Sequence, residues 1–143
     1  MIEPPLIRPA TAADADGIWP LVSAFATSFT PDREAFAVIL PALVARDDVL
    51  ALVAESGDTL VGYLLAALHP TFFANGPVAG IEEVMVAASA RRTGVGRALM
   101  AEAETWARSA GAAYCSLSTR RAPDFYAALG YETSGTFFKK PLD

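Results

Sequence analysis

Apolar residues recur with two different periods along the chain, and the alternation between them outlines the elements. Val49 to Glu55 and Leu60 to Leu68 are nearly unbroken apolar runs on either side of Ser56-Gly57-Asp58, the pattern of a β-hairpin. After a loop from His69 to Pro77, Val78 to Val86 reads as a further strand. From Gly94 the period changes: Val95, Leu99, Ala103, Trp106 and Ala110 are spaced for one face of a helix that Gly111 caps. A strand at Ala113 to Leu117, a short helix at Ala122 to Leu129 stopped by Gly130, and a last strand at Tyr131 to Phe138 complete the chain. Ahead of the hairpin, Leu6 to Arg8 predicts a strand, and Thr11 caps a helix running toward Phe25 that Gly17 and Pro20 make irregular. Pro31-Asp32-Arg33-Glu34 opens a second helix that carries Phe36, Ile39, Leu40 and Leu43, with a kink expected at Pro41. This order predicts a mixed α/β layer arrangement in a single domain over residues 1–143, with no repeat or linker.

One junction in that pattern carries chemistry. Arg91-Arg92-Thr93-Gly94-Val95-Gly96-Arg97-Ala98 lies between the strand ending at Val86 and the long helix. The first amides of a helix have no intrahelical acceptor and together carry about half a positive charge, so an anion is favoured there. Gly94 and Gly96 allow close backbone approach, and Arg91, Arg92 and Arg97 add charge. The segment suits a pyrophosphate. It is not a P-loop, which would need Lys-Ser/Thr after the glycines, and it lacks the third glycine of a dinucleotide fingerprint. The plainer alternative is a glycine-containing helix start with solvated arginines.

Arg91-x-x-Gly94-x-Gly96 resembles the Arg/Gln-x-x-Gly-x-Gly/Ala hallmark of the GNAT superfamily of N-acetyltransferases, and Phe125-Tyr126-Ala127-Ala128-Leu129-Gly130-Tyr131 is similar to that family's Phe-Tyr-x-x-Leu-Gly-Phe segment. With Leu6-Ile7-Arg8-Pro9-Ala10-Thr11 resembling the usual first strand and helix start, the likeness spans essentially the whole chain. It implies a mostly antiparallel twisted sheet of six to seven strands flanked by about four helices, with a splayed strand pair after the fourth strand. It further implies acetyl-CoA as cosubstrate. Its pyrophosphate would lie on the backbone amides of Gly94, Val95, Gly96, Arg97 and Ala98 with Arg91 and Arg92 at the edge, and its pantetheine against the main chain of Met85 and Val86. Dimerisation is common among relatives, although no segment here marks an interface. Where many relatives place an asparagine after the fifth strand, this chain has Ser116 to Arg121, so Ser118 or Thr119 would have to supply that hydrogen bond.

Composition narrows the surroundings. At 143 residues the chain can bury about 68 to 70% of its unfolded surface in one core. It is 53% hydrophobic, yet no run approaches the roughly 20 apolar residues of a membrane span, and Met1-Ile2-Glu3-Pro4-Pro5 lacks the marks of a signal peptide. A lone Cys115 and a lone His69 leave little for a metal site, so a metal-free cytoplasmic protein is expected. The formal net charge of −5 argues against nucleic acid as a main partner.

Acetyl transfer to an amine poses two proton problems, since the attacking nitrogen must be neutral and the departing thiolate must be protonated. Neutralising a lysine-like amine at pH 7 costs about 4.6 kcal/mol. Glu82 and Glu83 interrupt an apolar strand and, by simple alternation, point to opposite faces. Glu82, on the face of Val84 and Val86, is the preferred general base; the alternative is that both carboxylates are solvated or paired with nearby arginines. The resemblance makes Tyr126 the general acid. Phe25, Phe29, Phe72 and Phe73 come from segments that wall the acceptor site in this family, which suggests an acceptor with an apolar portion. His69 would line the substrate entrance or cap a strand, and Cys115 is expected to be buried and inert. The competing reading is a module that binds acyl-CoA without turnover.

Overall fold

The computed structural model describes residues 4–25, 29–119 and 122–142. A short strand β1 (Leu6–Pro9) leads through one 3-10 turn into helix α1 (Ala15–Ala24), followed by α2 (Arg33–Val44). The hairpin follows as β2 (Val49–Ser56) and β3 (Thr59–Pro70), then β4 (Pro77–Val86), α3 (Val95–Ser109), β5 (Cys115–Leu117) and α4 (Pro123–Ala128). The sheet runs in the order β1-β2-β3-β4-β5; the first four strands are antiparallel and β5 is parallel to β4.

Local chemistry sets the helix starts. The Thr11 amide donates to Asp14 Oδ2 at 2.8 Å, and the same carboxylate takes two hydrogen bonds from Arg8, at 2.8 and 2.9 Å. That guanidinium holds the Asp14 carboxyl below the usual range. Asp32 caps α2 by accepting from the Ala35 amide at 2.9 Å. Pro20 and Pro41 both lie inside their helices. Gly17 is dictated by packing, because a Cβ there would come within 2.8 Å of Leu60 on β3.

Each face of the sheet buries its own core. Leu52, Leu64, Ala66 and Ile81 pack against Val95, Leu99, Met100 and Ala103 of α3. Leu99 and Met100 are fully buried, each contributing about 1.5–3 kcal/mol by leaving water. On the opposite face Val53 and Tyr63 meet Ile18, Leu21 and Leu40 of α1 and α2.

The expected final strand does not form. Residues 131–142 form no strand, so the sheet among the described residues has five strands rather than six or seven. The segment lacks a one-sided apolar alternation: Gly135 interrupts it, and Phe137 and Phe138 are adjacent and exposed. Tyr131 anchors its start, with its hydroxyl donating to Glu104 at 2.8 Å. No helix among the described residues is long and apolar enough to cross a membrane.

Candidate active site

Two irregularities in β4 create the site. The first is a parting of strands: β5 pairs with β4 only at Ala79, Gly80 and Ile81, after which β5 ends at Leu117 while β4 continues to Val86. A cleft of about 490 Å³ opens there, lined by residues 81–86 of β4, Ser118 and Thr119 beyond β5, Tyr126, Phe25 and Arg91. The second is a β-bulge. Leu65 pairs with Glu83 and Ala66 with Ile81, so Glu82 is an extra residue in the ladder.

The bulge overturns the expectation that the two carboxylates face opposite ways. Ile81, Val84 and Val86 all pack on the α3 side, which leaves Glu82 and Glu83 together on the other face. There Glu82 Oε1 lies 2.8 Å from His69 Nε2, above Gly80, where a Cβ would strike the His69 ring. Both partners of that pair are about half exposed. Glu83 is more enclosed and accepts from the Tyr63 hydroxyl at 2.6 Å. Tyr63 is buried, and its phenol is pushed far above the usual value, by burial first and by the Glu83 charge second. Alternation alone gave no sign of the Tyr63–Glu83 pair; the one available signal was a tyrosine set in an otherwise apolar strand.

Glu83 also lines a second cavity, of about 230 Å³, between α1, α2 and the sheet and open to solvent on one side. The phenylalanines expected around an acceptor are mostly elsewhere. Phe25 borders the cleft, whereas Phe29, Phe72 and Phe73 are exposed, and none of these four lines the second cavity. Phe36, expected only as a helix-face residue, lines it instead.

At the far end of the cleft, Arg92 and Gly94 both take left-handed backbone angles, with φ of +65° and +91°. Gly94 has open space where a Cβ would stand. Ala98 donates to the Gly94 carbonyl at 3.0 Å, closing the first turn of α3, so its amide is already engaged. The amides of Val95, Gly96 and Arg97 have no acceptor among the described residues. They are three of the five amides that the sequence singled out. The Val95 side chain is core, Arg91, Arg92 and Arg97 are exposed, and Arg91 Nε donates to the Val86 carbonyl at 3.3 Å. Gly96 faces inward: a Cβ there would sit 3.2 Å from the Phe125 ring of α4.

Tyr126, on α4, is half-buried between the rings of Phe125 and Tyr131, and burial raises its phenol above the usual value. It therefore carries its proton at neutral pH. Thr119 Oγ1 accepts from the Ala122 amide at 3.2 Å at the start of α4. Burial raises the Cys115 thiol as well, as expected of an inert cysteine. Arg120 and Arg121 lie outside the described residues.

Residues 17–131 match the Acetyltransferase (GNAT) family, and the chain belongs to that family of acetyltransferases. No curated protein sequence matches it. Solved structures share the fold at low identity. Glucosamine-6-phosphate N-acetyltransferase from Arabidopsis thaliana superposes with a TM-score of 0.87 at 19% identity, covering 99% of this chain and 100% of its own. Ribosomal-protein-alanine N-acetyltransferase from Brucella melitensis gives 0.79 at 19%, covering 98% and 100%. The aminoglycoside 6'-N-acetyltransferase AAC(6')-IG from Acinetobacter haemolyticus gives 0.76 at 21%, covering 96% and 99%. Their acceptors are an amino sugar phosphate, a protein and an antibiotic, so the fold does not choose among them.

Proposed function

We propose that the protein transfers an acetyl group from acetyl-CoA to a primary amine by direct attack in a ternary complex, with Glu83 as general base and Tyr126 as general acid. The observation that carries this reading is that Glu83 borders both the cleft between β4 and β5 and the cavity under α1 and α2. When bound, acetyl-CoA supplies the acyl carbon, where an N–C bond forms as the C–S bond breaks to leave an amide and the CoA thiol.

The chain's own groups handle everything else. The amides of Val95, Gly96 and Arg97 hold the pyrophosphate, with Arg91, Arg92 and Arg97 around it. The free side of β4 at Met85 and Val86 offers main chain to pantetheine. Glu83 takes a proton from the ammonium nitrogen, and the Tyr63 hydroxyl fixes the carboxylate's orientation. Tyr126 gives its phenolic proton to sulfur. Of the two protons the ammonium loses, one leaves to solvent through Glu83 and the other replaces that given up by Tyr126. Glu82, half exposed and bound to His69, is assigned no proton transfer.

The test is calorimetric titration with acetyl-CoA, followed by thiol release in the presence of amines, for the wild type, Glu83→Gln and Glu82→Gln. We expect saturable acetyl-CoA binding in all three. Glu83→Gln should lose about a hundredfold or more in kcat, and Glu82→Gln less than about threefold. Binding without turnover of any amine would favour the acyl-CoA-binding module, and equal losses in both variants would reject Glu83 as the base.

A further inference from the structure

The cavity under α1 and α2 has a composition that selects an acceptor. Its walls are Ile18, Val22, Phe36, Ile39, Leu40 and Leu43, and its volume is about 230 Å³. A concave, mostly apolar pocket with few polar groups, open to solvent beside Ile39 and bordered by a carboxylate, has the make-up of a small-molecule site. An apolar cavity of about 150 Å³ holds a benzene ring. This one has room for a ring and a short chain.

Charge sharpens the choice. Among the described residues, no lysine, arginine or histidine lines the cavity. Its inner polar groups are the Tyr63 hydroxyl and the Glu83 carboxylate, which are bonded to each other. Asp32, at the start of α2, already accepts from the Ala35 amide. An ammonium group arriving at Glu83 would find an opposite charge. A carboxylate or phosphate on the same acceptor would be taken out of water beside Glu83 with no cation to meet it, and sugar hydroxyls or peptide groups would lack partners along the apolar wall.

We infer that the acceptor is a primary monoamine with an uncharged apolar body, about as large as a phenyl ring on a two-carbon chain, seated under α1 and α2 with its nitrogen at Glu83. This inference rests on the acetyl-transfer reading above. The proton and bond balance is that already given, and no further reactant is needed.

The probes are 2-phenylethylamine and phenylalanine, which differ only by a carboxylate, together with hexylamine and glucosamine 6-phosphate. Each is titrated calorimetrically into the protein without acetyl-CoA and then assayed for thiol release. Ala51→Leu, on the cavity floor, fills the space, and Leu43→Ala enlarges it. Melting curves establish that each variant is folded.

The expected result is direct binding of both monoamines and a kcat/KM for 2-phenylethylamine about a hundredfold or more above that for phenylalanine. Ala51→Leu should raise the KM for 2-phenylethylamine about tenfold with the acetyl-CoA Kd unchanged, and Leu43→Ala should shift preference toward longer amines. Phenylalanine or glucosamine 6-phosphate used as well as the monoamine would overturn the inference. So would cavity variants that alter stability but leave amine binding as it was. Saturable acetyl-CoA binding with turnover of charged acceptors alone would reject the acceptor class and keep the acetyl-transfer reading; absence of acetyl-CoA binding would remove both.

Discussion

The two ends of the β4 cleft are built on opposite plans. At the α3 end, the amides of Val95, Gly96 and Arg97, which have no acceptor among the described residues, belong to consecutive residues. At the α1/α2 end, Glu83, Tyr63, Ile18 and Phe36 come from four different elements and line one pocket with their side chains. The first end suits a ligand part that never varies, since a pyrophosphate needs only donors and a turn. The second can change with a few substitutions while the sheet stays the same. Acceptor choice is therefore free to differ among structures that share the cofactor end of the fold.

The sharpest way to break the comparison is at the cradle. Gly94→Asp puts an acidic side chain at a left-handed position where a Cβ would meet nothing within 4 Å beyond its chain neighbours. We expect acetyl-CoA affinity to fall about a thousandfold from like-charge repulsion, and stability to fall by about 1–2 kcal/mol from backbone strain. Calorimetry and a melting curve separate the two effects. Gly96→Asp is a less selective probe, because a side chain there also displaces Phe125, next to Tyr126.

Tyr126→Phe probes the shared middle of the cleft. Thiol release should slow about tenfold to a hundredfold in kcat with little change in acetyl-CoA affinity. A general acid works while protonated, so activity persists below its pKa and fails above it. Burial raises the Tyr126 phenol, which moves that failure to a pH above the ordinary tyrosine value. The alkaline limb of the wild-type profile should be missing from the variant. An unchanged profile would leave Tyr126 as a packed aromatic.

The smallest effect is a control away from both ends. Asp14→Asn weakens the pair with Arg8 and should lower stability by about 1–2 kcal/mol, with kcat unaltered. Because Arg8 depresses the folded-state pKa of Asp14, its contribution is fully present above the usual 3.8 and is lost as pH falls through the lower folded value. Melting temperatures of wild type and variant should converge at the acidic end. A persistent gap there would assign the loss to the Thr11 amide contact instead.

Much of this fold was legible because its signals are local. Asp32 at the start of α2, Gly57 in the hairpin turn and Gly111 after α3 occupy the caps and left-handed positions that their types announce. The glycine turn that opens α3 was legible for the same reason; that the Ala98 amide is taken up by the first helical turn was not. The final strand was misread because Tyr131 to Phe138 has strand-forming residues but no arrangement of them that buries one face. The expectation that Glu82 shares a face with Val84 and Val86 failed on the bulge. A single unpaired residue in β4 shifts the alternation, and nothing between Ile81 and Val86 announces it, since its cause lies in the pairing with β3.

The sequence by itself determined the succession of elements, the helix caps, the glycine turn before α3 and the family, all of which depend on residues within a few positions of one another. Only the tertiary structure decided which carboxylate meets Tyr63, that Glu82 belongs to His69, and that an apolar cavity adjoins the cleft. Those features depend on strand register and on how α1 and α2 lie against the sheet. Such distances are set by packing between segments far apart in the chain, where local patterns carry no record of them.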